Sequence, residues 1–234
     1  MRILALDTST SVNSVCIIDE KGILVEHIVG GQGSHNKILL KNIDLCIKAA
    51  GVQFGDIHGI AIALGPGSFT GLRIGISTAK TLAWANQLPI LGIPTLDALA
   101  LNVPYGKYQV CPMLDAKKNE VYCRIYRLSD AYPEGITDNM VLPPAELAGM
   151  IDSPTIFLGN GWHQYESVLR EKLGENALTL PAPFHDIRAS NIATLALRRL
   201  KQNEKDDPES LKPIYVRPSD AELSLKEKKQ SQQP

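Results

Sequence analysis

Apolar and polar positions fall into short blocks along the first hundred residues, and the period of the blocks changes in a regular order. Ile3 to Leu6 is an apolar run of strand length that ends in Asp7-Thr8-Ser9-Thr10, four hydrogen-bonding side chains in a row. A second strand is predicted over Ser14 to Ile18, and Asp19-Glu20-Lys21-Gly22 has the composition of a hairpin turn. Leu24 to Val29 reads as a third strand and Gly30-Gly31-Gln32-Gly33 as a flexible loop. Ser34 then suits the N-cap of a helix that runs to about Ala50 and stops at Gly51. In it Leu39, Ile43, Cys46 or Ile47, and Ala50 recur at helical spacing.

The apolar run from Ile57 to Leu64 is the next strand. It breaks at Gly65-Pro66-Gly67, where two glycines permit positive φ and a proline blocks continuation of the strand. Helical period resumes from Thr70 to about Ala85, with Ser68 and Thr70 both suited to cap it. Pro89 to Ile93 is a fifth strand, followed by Pro94-Thr95 and a short helix through Leu101. The order β-β-β-α-β-α-β-α predicts the α/β class, with a mixed sheet carrying helices.

The helix from Thr70 to Ala85 carries Gly71, Gly75, Ala79 and Ala83 every fourth residue, which places them on one ridge, flanked by Leu72, Ile76 and Leu82. Small residues let another backbone come close. Gly75 in a helix interior costs about 1 kcal/mol relative to alanine, so something must offset it. On the residues alone two occupants of the ridge stay open: the protein's own sheet, or a helix of a partner.

In the second half, Val103-Pro104-Tyr105-Gly106 reads as a joint between domains. Tyr108 to Met113 and Glu120 to Tyr126 read as strands around the charged loop Asp115-Ala116-Lys117-Lys118-Asn119. In the second of them Tyr122, Arg124 and Tyr126 alternate with Val121, Cys123 and Ile125. Tyr132 to Pro144 reads as loop, Ala145 to Ile151 as a short helix, and Thr155 to Leu158 as a strand ending in Gly159-Asn160-Gly161. Trp162 to Leu173 and Ser190 to Gln202 read as helices. Pro213-Ile214-Tyr215-Val216-Arg217-Pro218 is expected to lie extended on the body as the last ordered piece. The polar stretch from Ala221 to Pro234 is expected to be a solvated tail in which Lys226, Lys228 and Lys229 need no partner. The resulting division is 1–103, 104–218 with its terminal helix placed to pack back on the first unit, and a tail over 219–234.

Composition narrows the function classes. The 234 residues are 44% hydrophobic and 21% charged with a net charge of −1, which gives no general pull toward nucleic acid. No apolar run approaches the roughly 20 residues that span a bilayer. Asp7 follows Met1 too soon for a signal peptide, so a cytoplasmic protein is expected. Cys16, Cys46, Cys111 and Cys123 form no C-x-x-C pair and read as reduced thiols packed as small apolar groups.

Candidate chemistry is sparse. A strand, a glycine turn and a helix start together suggest an anion site, but no lysine lies between Gly65 and Lys80, and Thr70 stands where a dinucleotide loop has its third glycine. A tight turn is the favoured reading. A helical metal site needs two histidines four apart, and Leu39 stands four after His35, while His27, His58, His163 and His185 are scattered. No metal site is assigned, and His35 reads as a surface or interface residue.

The element order, with an aspartate closing the first strand, resembles a half-domain of the actin/Hsp70/sugar-kinase superfamily. More narrowly, Leu4-Ala5-Leu6-Asp7-Thr8-Ser9, Ser34-His35 and Gly65-Pro66-Gly67-Ser68-Phe69-Thr70-Gly71-Leu72-Arg73-Ile74-Gly75 resemble the bacterial TsaB (YeaZ) family. The likeness continues more loosely through Asp115 to Tyr122 and Pro213 to Arg217. It implies two RNase H-like subdomains with mixed sheets flanked by helices, the second reduced. It also implies a non-catalytic subunit in making threonylcarbamoyladenosine beside the tRNA anticodon. The partners it implies are a TsaD-like catalytic subunit, a TsaE-like ATPase and a second copy of the chain, with tRNA reached through the complex and no membrane involved. This chain would bind no cofactor of its own; ATP and a metal would belong to the partners. The implied interface is the first two helices, with His35, Leu39, Ile43, Gly71, Arg73, Gly75, Ala79 and Ala83. A vestigial phosphate or nucleotide site would comprise Asp7, Thr8, Ser9, Gly65 and Gly67. Superfamily kinases have glycine two residues after the aspartate, where Ser9 here crowds the approach. The alternative is a superfamily enzyme, a metallopeptidase-like protein or a small-molecule kinase.

Overall fold

A computed structural model describes residues 1–30, 35–103, 105–129 and 132–217, with residues 35–37 as backbone only. The readings of Gly31 to Ser34, of the His35 side chain, of Pro104 and of the tail 219–234 lie outside the described residues.

The first half consists of β1 (Arg2–Asp7), β2 (Asn13–Asp19), β3 (Gly22–Val29), α1 (His35–Ala49), β4 (Gly59–Gly65), α2 (Phe69–Ala85), β5 (Ile90–Pro94) and α3 (Thr95–Ala100). The second half consists of β6 (Gln109–Asp115), β7 (Val121–Cys123), β8 (Tyr126–Ser129), β9 (Tyr132–Gly135), β10 (Met140–Leu142), α4 (Pro144–Gly149), β11 (Thr155–Leu158), α5 (Asn160–Leu173), β12 (Ala177–Thr179) and α6 (Ala189–Lys201).

The first sheet has the order β3-β2-β1-β4-β5. Its first three strands form an antiparallel meander, and β4 and β5 run parallel to β1. Strand alternation gives it two apolar faces. Leu4, Leu6, Val15, Ile17, Ile60 and Ile62 meet α1 and α2 on one side. Ile3, Ala5, Cys16, Ile18, Ala61 and Ala63 meet α3 and α6 on the other.

The second sheet repeats this plan. Its path is β10-β7-β6-β11-β12, with β7 antiparallel to β6 and β10, and with β6, β11 and β12 parallel. Numbered within each half, with β8 and β9 set aside, both sheets therefore run third, second, first, fourth, fifth. The second adds the β8–β9 hairpin, which pairs with β6 at Val110 and Tyr126. The sequence shows no visible repeat, yet the topology does.

The segment read as one strand over Glu120 to Tyr126 is two. The backbone of Ile125 turns away from β6: its carbonyl accepts from Ile136 N (2.7 Å) and its N–H donates to the Thr137 hydroxyl (3.1 Å). Alternation fails there, and Tyr126 is buried beside Ile125. The stretch read as loop, Tyr132 to Pro144, contains β9 and β10, and β12 was not foreseen.

The layers stack as α1 and α2, first sheet, α3 and α6, second sheet, α4 and α5. The α3–α6 layer joins both sheets in one apolar cluster that takes Val110, Leu114, Tyr126, Ile156 and Leu158 from the second. Helix α6 has no side-chain cap of its own; Glu26 of β3 accepts from Ser190 N (2.9 Å) and Arg188 Nη2 (2.7 Å) at its start. After α6 the chain returns to the edge of the first sheet, where Asp206 accepts from Gly92 N (2.7 Å) and pairs with Arg199 (2.8 Å).

Candidate functional site

The glycine turn after β4 and the polar turn after β1 meet. Gly65 sits at φ +113°, a conformation that favours glycine, and its N–H donates to the Thr95 hydroxyl (2.9 Å). Ser68 caps α2, accepting from Gly71 N (3.3 Å), and Ser68 N donates to the Ser9 carbonyl (2.7 Å). The Thr8 hydroxyl donates to the Gly71 carbonyl (2.7 Å). A Cβ at Gly67 would overlap Ser9, and one at Gly71 would overlap the Thr8 carbonyl oxygen, so the first turn of α2 lies directly on Thr8 and Ser9.

Asp7, Thr8 and Ser9 are consequently buried. Asp7 Oδ1 accepts from Ser9 N (3.0 Å) and from the Ser9 hydroxyl (2.6 Å), while Oδ2 has no partner among the described residues. Burial pushes the Asp7 carboxyl up to about 6, against the pull of the Ser9 hydrogen bonds. The candidate phosphate residues Asp7, Thr8, Ser9, Gly65 and Gly67 are thus brought together, as a packed joint in which Ser9 closes on the carboxylate and the first turn of α2 rests on Thr8 and Ser9. Such a joint can hold a proton on Asp7 and fix the direction of α2.

The ridge resolves in favour of the protein's own sheet. Gly71, Gly75, Ala79 and Ala83 are buried; a Cβ at Gly75 would overlap the Thr8 hydroxyl and stand 2.9 Å from Ile62 Cδ1. Leu39 and Ile43 are also in the core, packed between α1 and the first sheet. Within the chain these six residues, which the family resemblance implied as interface, hold α1 and α2 onto the sheet. The physical reason is that the apolar stripe of each helix is satisfied within the chain. Arg73 alone of the named interface residues with a described side chain is exposed. The outward faces of α1 and α2 carry Leu40, Leu45, Phe69 and Trp84, with Trp84 83% exposed. Sequence reasoning passed over these four, although each is a large apolar residue off the helical stripe.

Among the described residues no group of three or more His, Cys, Asp or Glu side chains is placed to hold a metal ion. The His163 and His185 rings lie 4.2 Å apart, but His185 is committed to the Gly159 N–H (3.1 Å) and the Leu180 carbonyl (2.8 Å). All four cysteines are free and buried, and burial raises the thiols of Cys16 and Cys46. No helix among the described residues is long and apolar enough to cross a membrane.

Residues 30–225 match the family model described as TsaD: tRNA N6-adenosine threonylcarbamoyltransferase. The chain is 29% identical to the tRNA threonylcarbamoyladenosine biosynthesis protein TsaB of Bacillus subtilis, over 95% of this chain and 96% of that protein. It is also 29% identical to the protein of the same name from Escherichia coli, over 93% and 95%. Among solved structures it resembles YeaZ from Pseudomonas aeruginosa, with a TM-score of 0.79 and 30% identity covering 92% of this chain and 99% of that one. The two repeated sheets and their helices are an actin- and sugar-kinase-like fold.

Proposed function

The chain belongs to the TsaB (YeaZ) family, within the wider group that the TsaD model describes, and from that premise we propose that it is a non-catalytic scaffold in tRNA threonylcarbamoyladenosine biosynthesis. In this reading it docks a TsaD-like catalytic subunit and shapes that partner's active site. A TsaE-like ATPase joins the assembly, a second copy of the chain competes for the same face, and tRNA is reached through the complex. ATP and the metal ion are held by the partners.

One observation carries the reading. The first turn of α2 closes on Thr8 and Ser9, and Asp7 beside them is buried, so the carboxylate that would face a nucleotide in a kinase relative accepts from the Ser9 N–H and hydroxyl of its own turn here. What the joint supplies instead is a rigid seat for α2. The outward side of α1 and α2 then offers Leu40, Leu45, Phe69, Arg73 and Trp84 as a mixed apolar and cationic face. Exposed aromatic and arginine side chains of this type are the usual anchors of protein interfaces.

The test is reconstitution. The chain is co-purified with a TsaD-like protein, and tRNA modification is measured with and without it. Stable association and modification that depends on this chain support the scaffold. Modification at full rate in its absence, or nucleotide turnover by the chain alone, refutes it.

A further inference from the structure

Among the described residues the two sheets are joined at two places. One joint is the α3–α6 layer, whose apolar side chains, such as Leu96 and Ala193, are wholly buried. The other is the last described stretch of the chain. Ile214 N donates to the Leu64 carbonyl (2.7 Å), and the approach is so close that a Cβ at Gly65 would stand 2.8 Å from the Ile214 carbonyl oxygen. The Tyr215 ring stacks on Phe69 with centroids 5.5 Å apart, and its hydroxyl accepts from Arg73 Nε (3.4 Å). Two residues later the chain has reached the second sheet. Arg217 Nη1 pairs with Glu120 Oε2 (2.5 Å), and Nη2 donates to the Ala116 carbonyl (3.1 Å). Residues 212–217 therefore tie the start of α2 to the β6–β7 hairpin.

The two joints differ in kind. The stretch 212–217 belongs to no helix or strand, and among the described residues its one backbone–backbone hydrogen bond is that of Ile214. Its grip is side-chain stacking and an ion pair, both partly solvated; Tyr215 is 45% exposed. Segments with few backbone bonds and solvated contacts open at a small fraction of the global unfolding free energy, whereas a fully buried layer opens only with the whole.

We propose that residues 212–217 are a latch between the two lobes. Engaged, the latch locks the first turn of α2 to the β6–β7 hairpin. Released, it lets the two sheets open about the α3–α6 layer, a hinge-type motion around a retained core. Phe69 and Arg73 belong both to the latch and to the outward face of α2, so a protein seated on that face would bias the latch. That last link rests on the function proposed above; the latch itself does not, and its test uses the isolated chain.

The experiment is amide hydrogen exchange on the full chain and three variants. Tyr215→Ala frees the first-lobe end, Arg217→Gln frees the second-lobe end, and Arg217→Glu with Glu120→Arg reverses the ion pair. The latch predicts that either single variant accelerates exchange about tenfold or more at both ends, in 66–72 and in 115–120, with α3 and α6 unchanged. The reversed pair returns both segments toward the parent rate. If each variant accelerates only the end that it touches, or neither end, the latch is wrong; so it is if the reversed pair stays as open as Arg217→Gln. Should Tyr215→Ala also lose protection in α3 and α6, Tyr215→Phe, which keeps the stack and removes only the Arg73 contact, is read by the same criteria.

Discussion

Thr8 and Gly71 interlock. The Thr8 hydroxyl donates to the Gly71 carbonyl over 2.7 Å, and the two backbones stand so close that no side chain fits at position 71. The contact explains why a 17-residue helix tolerates glycine at 71 and 75. Each glycine costs about 1 kcal/mol of helix propensity. The offset is the seat itself, which lets α2 rest on the end of β1 and bury Leu72, Ile76 and Ala79.

Gly75→Ala should therefore destabilise the protein although alanine is the better helix former. Its Cβ would overlap the Thr8 hydroxyl and press on Ile62. Overpacking of this kind costs about 1–3 kcal/mol, which outweighs the propensity gain of about 1 kcal/mol. Gly71→Ala should cost more, because its obstacle is the Thr8 backbone. Urea unfolding measures both; a midpoint equal to or above that of the parent would show that the seat is loose.

The ridge marks where the sequence was legible and where it was not. Spacing alone placed Gly71, Gly75, Ala79 and Ala83 on one face, and the cost of Gly75 announced a close neighbour. What spacing cannot give is the identity of that neighbour, which depends on Thr8 and Ile62 arriving from 67 and 13 residues away in the chain. The first sheet was readable because each strand spans two or more full periods and ends in turn residues. In the second, β10 and β12 have three residues each, too few to repeat a period, and exist because β7 and β11 pair with them. Pro133 within β9 argued for loop, yet its strand pairs only with β8.

The Asp7 carboxyl should give the stability curve a component of unusual sign. Its ordinary value is 3.8 and burial lifts it to about 6 in the folded chain. Between those values the folded state binds the proton more tightly than the unfolded one, so stability falls as pH rises from about 4 to 6 and is level above that. The full component is about 3 kcal/mol. Asp7→Asn should abolish it, leaving the variant the more stable of the two at pH 7 by about 1–3 kcal/mol. The difference between parent and variant in chemical unfolding at pH 4, 5, 6 and 7 isolates the component; a constant difference would mean that Asp7 is ionised normally.

Tyr126→Phe should loosen the contact between the α3 layer and the second sheet. The Tyr126 hydroxyl donates to Asp97 Oδ1 (2.5 Å), and Arg124 Nη1 reaches the same oxygen at 3.3 Å. Burial raises the Asp97 carboxyl, and these two groups work against that rise. Removing the hydroxyl leaves a half-buried carboxylate short of one partner, at a cost of about 1–3 kcal/mol. Thermal unfolding at pH 7 measures it, and an unchanged midpoint would show that Arg124 alone suffices.

Trp84→Ala separates docking from folding, which substitutions on the ridge cannot do. Ala79→Arg would place a guanidinium in the core between α2 and its sheet, so a chain that no longer bound a partner would simply be unfolded. Trp84 is 83% exposed at the end of the same helix, beside a surface depression lined by Ala83, Leu88 and Pro208. Its truncation should change stability by less than about 0.5 kcal/mol. If the outward face of α2 docks a TsaD-like subunit with Trp84 as an anchor, the tryptophan is worth about 2 kcal/mol or more there, which is roughly a thirtyfold rise in Kd. Calorimetric titration of the folded variant against the partner reads this directly. Unaltered affinity with unaltered folding would move the docking site off the Trp84 end of α2 and leave the Leu40 and Leu45 side of α1 to carry it.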